Sequence, residues 1–96
     1  MTVDEVRESL AEHRDELAAM GVGGLSIFGS VARGDAGPES DLDLLVDLTR
    51  TMGLLEFIGI KHFLEDLLGC AVDLVMPDAL KPRVREAVMA EAVRAA

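Results

Sequence analysis

The octet Asp41-Leu42-Asp43-Leu44-Leu45-Val46-Asp47-Leu48 constrains the fold more than any other stretch of the chain. Its period is two. In an extended backbone Leu42, Leu44, Val46 and Leu48 share one face, and Asp41, Asp43, Leu45 and Asp47 share the other. A strand over residues 42–48 buries the aliphatic set against a core and lines the acids up on the opposite side, so the chain is expected to contain a β-sheet.

The remaining segments read as elements able to flank or extend that sheet, with no linker, repeat or low-complexity run between them. Val6, Leu10, His13 and Leu17 recur at spacings of four, three and four, which predicts a helix over roughly residues 3–19, stopped at Met20-Gly21. Residues 24–29 (GLSIFG) form a short strand ending in glycine. Residues 54–68 read as a helix whose apolar positions cover more than one stripe, as in a deeply buried or interface helix, and Gly69 suits its C-terminus. Residues 70–75 (CAVDLV) are expected to be a strand buried on both faces and broken by Pro77. Pro82 fits the first turn of a last helix running to about Arg94.

At 96 residues the chain is expected to be one domain, 1–96, with a single core; half of it is hydrophobic and only three residues are aromatic. Its formal charge is −9, with 11 acids and 4 bases in residues 1–50 against 7 and 5 in residues 51–96. That balance disfavours wrapping a nucleic-acid backbone and suits a cation or a basic protein partner. A single cysteine, Cys70, allows no internal disulfide, and no apolar N-terminal run resembles a signal peptide or membrane span. The expected compartment is the cytoplasm, with no membrane partner.

The acids near Asp41 follow a small-residue turn. Gly29-Ser30 stands where a strand ends and the chain turns toward a short helical piece, a place where backbone N–H groups point outward. Gly29 has no Cβ to hold a phosphate off, and Ser30 adds a hydroxyl donor. By itself the pair reads as a plain turn. Asp41 and Asp43, two apart in a strand, face the same side with about 6–7 Å between backbones and can share divalent cations. A third acid, Asp73, interrupts an apolar strand, where an ionised group is costly unless paired or ligating metal. If the two strands are neighbours, three aspartates converge as the ligand set of a two-metal site. Read one at a time, the same residues are compatible with Asp41 capping a turn, Asp43 solvated on its strand, and Asp73 paired with Arg33 or Arg83.

Gly29-Ser30, ten intervening residues and then Asp41-x-Asp43 resembles the signature of the nucleotidyltransferase superfamily that includes DNA polymerase beta. The wider string GSVARGDAGPESDLDLLVDL is similar to the minimal nucleotidyltransferase (MNT) antitoxins, densely so over residues 28–48. The resemblance implies an α/β (α+β) fold, a mixed β-sheet flanked by helices like the polymerase beta palm. It implies that Gly29 and Ser30 bind nucleotide phosphates, that Asp41 and Asp43 ligate Mg²⁺, and that Asp73 completes the triad as ligand or general base, with two ions in the site. The implied reaction is transfer of AMP from ATP to a hydroxyl with release of pyrophosphate. At this length the chain is expected to lack an acceptor-binding domain of its own. The resemblance supplies a partner instead: a HEPN-domain toxin, an RNase silenced by adenylylation of a tyrosine, in a hetero-oligomeric type VII-like toxin-antitoxin pair. A non-catalytic antitoxin that only covers its toxin is the alternative. The apolar helix at 54–68 and the surplus negative charge suit docking on a basic RNase.

Other residues divide between site and surface. Arg33, three positions past Ser30, can reach a triphosphate or pair with Asp35. Asp47 is read as solvated, His13 and His62 as packing or surface residues without a zinc-binding partner, and Cys70 as a small buried hydrophobe. Lys81, Arg83 and Arg85 read as a solvated helix face. The absence of GxxxxGK[ST] excludes a P-loop NTPase.

Overall fold

A computed structural model describes residues 1–37 and 40–96; Pro38 and Glu39, between the Gly-Ser turn and Asp41, lie outside the described residues. In chain order the elements are α1 (Val3–Ala11), α2 (Arg14–Ala19), β1 (Val22–Phe28), α3 (Gly29–Arg33), β2 (Leu42–Leu48), α4 (Leu54–Leu68), β3 (Val72–Val75), a 3₁₀ turn (Pro77–Ala79), α5 (Pro82–Glu91) and β4 (Val93–Arg94). The strands form one sheet in the order β3-β2-β1-β4. β1 is antiparallel to β2 and to β4, and β2 is parallel to β3. The sheet is therefore mixed and helix-flanked, as expected. A parallel pair needs a crossover longer than a hairpin, and α4 supplies it between β2 and β3.

β2 keeps the period-two pattern on its core face, and Leu45 on the opposite face is buried as well. Leu42, Leu44 and Val46 are each at most 1 % exposed. They meet Leu25 and Ile27 of β1 and Val72 and Leu74 of β3, and that apolar layer packs with Val6, Leu10, Leu17, Ile60 and Leu64 from α1, α2 and α4. Burying each such aliphatic side chain contributes roughly 1.5–3 kcal/mol against the chain entropy. Thr2 caps α1 by accepting from the Glu5 N–H at 3.3 Å.

Four details differ from the sequence expectations. The first helix is two helices. His13 leaves helical geometry (φ −122°, ψ 24°), its ring nitrogen lies 2.7 Å from Glu16 Oε1, and the ring packs edge-on against Phe63. The polar run from Glu12 to Glu16 has no apolar residue to hold one straight axis, and turning there sets α2 against β1 with Leu17 buried. β3 is not buried on both faces: it is the edge strand, with Val72 and Leu74 buried and Asp73 exposed between them. The last helix stops at Glu91, where the chain becomes extended so that Val93 and Arg94 pair with Ile27 and Ser26. Finally, α4 buries only Ile60 and Leu64 fully, and leaves Leu54 and Leu55 73 % and 85 % exposed at its N-terminal end.

Two minor expectations also resolve. Cys70 is half-buried, with its Sγ 3.9 Å from Met1 Sδ, and burial pushes its thiol pKa up. Arg85 is more than a solvated charge, since its guanidinium donates to the carbonyls of Pro77 and Leu80 at 2.9 and 3.2 Å and fastens the 3₁₀ turn to α5.

Candidate active site

Residues of β2, β3, α3 and the end of α5 meet at one end of the sheet. Asp43 of β2 and Asp73 of β3 are register partners in the parallel ladder. Neighbouring strands lie about 4.8 Å apart, so the two side chains rise together from the face opposite the core. Asp41 sits exposed immediately before β2, where the Leu42 N–H already bonds the Ala71 carbonyl at 2.9 Å. The alternative in which Asp73 pairs with Arg33 or Arg83 is not what the structure has: among the described residues none of the three aspartates forms an ion pair.

That lack of a counter-charge is felt at Asp43. Burial, then the neighbouring charges of Asp73 and Asp41, push its carboxyl pKa above the ordinary value, while Arg33 pulls the other way. Repulsion among the acids is thus present, with desolvation as the larger cause. The donors are all carboxylate oxygens, which are the ligands a hard divalent cation takes. As they stand, no three His, Cys, Asp or Glu side chains among the described residues are gathered closely enough to grip one ion. The backbone adjacency of Asp43 and Asp73 is present.

The Gly-Ser turn faces this cluster. Phe28 of β1 pairs with Asp43, and the next residue, Gly29, turns the chain into α3 with φ +73°, a left-handed conformation that L side chains rarely adopt. Space is short there as well, because a Cβ at position 29 would overlap the Asp43 carboxylate. Glycine is therefore required twice, once for the turn and once for the acid beside it. Ser30, half-buried, accepts the Asp35 N–H at its carbonyl at 3.0 Å, and its hydroxyl has no partner among the described residues. Gly34, also left-handed (φ +78°), closes α3.

Arg33 has two partners. Its Nε lies 3.5 Å from Asp35, and its Nη1 lies 3.1 Å from Oε2 of Glu91, the last residue of α5. Glu91 also accepts the Gly29 N–H at 2.9 Å. The Gly29 N–H and then Arg33 hold the Glu91 carboxyl below the usual carboxylate range, and Glu91 in turn is the largest cause of the raised Arg33 pKa. Sequence reasoning missed Glu91. A single acid at the end of an amphipathic helix, 62 residues from its partner, carries no local signal.

Gly29, Ser30, Arg33, Asp41, Asp43 and Asp73 are thus brought to one place, while Asp47 lies exposed farther along β2. A groove of about 860 Å³ opens at the other end of β2, between Val46 and Leu54 and beside Phe57 and Met76; it contains none of these six residues.

Known proteins share this arrangement of chain and fold. The pattern of the nucleotidyltransferase domain matches residues 5–95. Over 94 residues the chain is 42 % identical to protein adenylyltransferase MntA of Thermococcus cleftensis, covering 97 % of this chain and 95 % of that one. A solved candidate minimal nucleotidyltransferase superposes with a TM-score of 0.81 at 41 % identity, covering 97 % of this chain and 95 % of the other. A toxin-antitoxin crystal structure with AMP-PNP superposes with a TM-score of 0.75 over 94 % of this chain and 72 % of that one, a likeness of fold at 18 % identity. The chain therefore belongs to the nucleotidyltransferase domain family and, within it, to the minimal nucleotidyltransferases.

Proposed function

We propose that this protein transfers AMP from ATP to a hydroxyl of a partner toxin, with Mg²⁺, and thereby acts as an antitoxin. One observation carries the reading: Asp43 and Asp73 are lateral neighbours on adjacent strands, directly beside the side-chain-free turn at Gly29. The 42 % identical relative named a protein adenylyltransferase supports the reaction, and the toxin-antitoxin neighbours support the setting.

In this reading the Gly29 and Ser30 N–H groups, the Ser30 hydroxyl and the Arg33 guanidinium hold the phosphates. Asp41 and Asp43, with Asp73, would hold Mg²⁺ through their carboxylate oxygens. Such a cation would supply charge neutralisation for the triphosphate and activation of the attacking hydroxyl. The acceptor oxygen forms a bond to the α-phosphorus in line with the α–β bridging oxygen. The bridging bond then breaks, and pyrophosphate leaves with the bonding electron pair. Asp73, exposed on the edge strand, takes the acceptor proton or passes it to solvent. The protein's own work is to position and to neutralise charge.

The acceptor of this reading is a tyrosine of a HEPN-domain RNase. The test is to incubate the chain with Mg-ATP and the protein encoded by the neighbouring gene and to weigh that protein. Gain of AMP units, abolished by Asp41→Asn with Asp43→Asn, supports the reading. Neutralisation of the toxin by the double variant as well as by the parent replaces it with the non-catalytic antitoxin.

A further inference from the structure

Glu91 occupies the groups that the proposed function assigns to the triphosphate. One carboxylate accepts the Gly29 N–H at 2.9 Å and reaches the Arg33 guanidinium at 3.1 and 3.4 Å. Carboxylate and phosphate oxygens are interchangeable acceptors for an N–H and a guanidinium, and a single N–H cannot serve both well. We propose that Glu91 is an internal anion that holds the phosphate-binding turn while the site has no nucleotide, and that an entering triphosphate must displace it, so that Glu91 sets nucleotide affinity. The inference rests on the proposed function and adds to it a positioning residue and a competitor built into the chain.

The surroundings say what moves. The backbone on either side of Glu91 is anchored: the Ala92 N–H bonds the Val88 carbonyl, Val93 and Arg94 pair with β1, and the Arg7 guanidinium donates to the Arg94 carbonyl at 2.9 Å. The end of α5 is therefore fixed on the sheet. Displacement requires only rotation of the Glu91 side chain, which is half-buried and borders solvent. Its departure also removes a negative charge that acts on Asp43. A swinging segment is not needed, and α5 and β4 keep their places when nucleotide enters.

The experiment compares Mg-ATP binding, by calorimetry and without partner, in the parent, Glu91→Gln, Glu91→Ala and Glu86→Gln. Glu86 is exposed on the same helix and makes no contact with the turn among the described residues, so it controls for a general loss of charge. A thermal melt of each variant checks that it folds. The expected result is binding roughly threefold to tenfold tighter in both Glu91 variants and within about twofold of the parent in Glu86→Gln. The Gly29 amide resonance of the nucleotide-free protein should also shift in Glu91→Gln. Equal or weaker binding in the Glu91 variants, beside measurable binding by the parent, overturns the inference and leaves the proposed function standing. The same gain in Glu86→Gln also overturns it. No ATP binding by any of the folded proteins removes the proposed function and this inference with it.

Discussion

Asp43 and Asp73 stand opposite each other in the parallel ladder between β2 and β3, two acids on adjacent strands with no cationic partner among the described residues. Such a pair opposes folding and favours whatever brings positive charge to it. Asp43→Asn should therefore stabilise the metal-free protein by about 0.5 kcal/mol, a rise in Tm of about 2–4 °C, while transfer is lost. The pH dependence has a definite sign. The folded Asp43 pKa is raised, so ionisation disfavours the folded state. The Asp43 contribution to stability is fully present below the ordinary aspartate pKa and is lost as pH rises through the folded value. The advantage of Asp43→Asn should accordingly be absent in strong acid and appear toward neutral pH in a series of melts.

Cation binding should reverse the same effect. Mg²⁺ is expected to raise the Tm of the parent in proportion to the logarithm of its concentration above Kd, and to leave Asp41→Asn with Asp43→Asn unmoved. Chelation should stop transfer and return the parent to its metal-free Tm. Equal Mg²⁺ responses in the two proteins would remove the aspartates as ligands.

Gly29 and Gly34 offer a matched comparison, because both are left-handed, at φ +73° and +78°. A Cβ at 29 meets Asp43, whereas a Cβ at 34 meets nothing within 4 Å. Gly34→Ala should cost about 1 kcal/mol from backbone strain alone and keep nucleotide binding. Gly29→Ala should cost about 2–3 kcal/mol and abolish nucleotide binding, since the turn and Asp43 must both shift. Urea unfolding and calorimetry measure the two effects.

Glu65 of α4 accepts the Val72 N–H at 3.0 Å and so ties the crossover helix to the first residue of β3, next to Asp73. Glu65→Ala leaves the part-buried Val72 N–H without its partner. It should destabilise the fold by about 1–2 kcal/mol and lower kcat more than it raises KM for ATP, because the phosphate turn is untouched.

Leu54 and Leu55 are exposed, while Ile60 and Leu64 are buried and Phe57, Phe63, Leu67 and Leu68 pack against the core. Changing both to Ser should alter stability by less than about 0.5 kcal/mol. Under the proposed function the same change should weaken the complex with the toxin, as read by a pull-down between purified proteins.

Local pattern carried much of this fold. The alternation in residues 41–48 is realised as β2, at the predicted bounds 42–48, and the apolar run ended by Gly69 is realised as α4, because each places its buried side chains at its own period. The proximity of Asp73 to Asp43 was conditional on β3 lying beside β2, a relation fixed by the path of α4 rather than by either strand's sequence. The break at His13 comes from packing of Leu17 on β1, and β4 is two residues long, too short for any period to show. Glu91 was invisible for a similar reason. Its meaning depends on a contact with Gly29 that only the folded chain creates.

Because Asp73 rides on the outermost strand, no further strand covers the carboxylates on that flank among the described residues. Under the proposed function an acceptor hydroxyl would come in over that edge, and discrimination between acceptors would fall to the surfaces around the rim. On that reading the rim would choose the client while the acids and the turn supplied the chemistry.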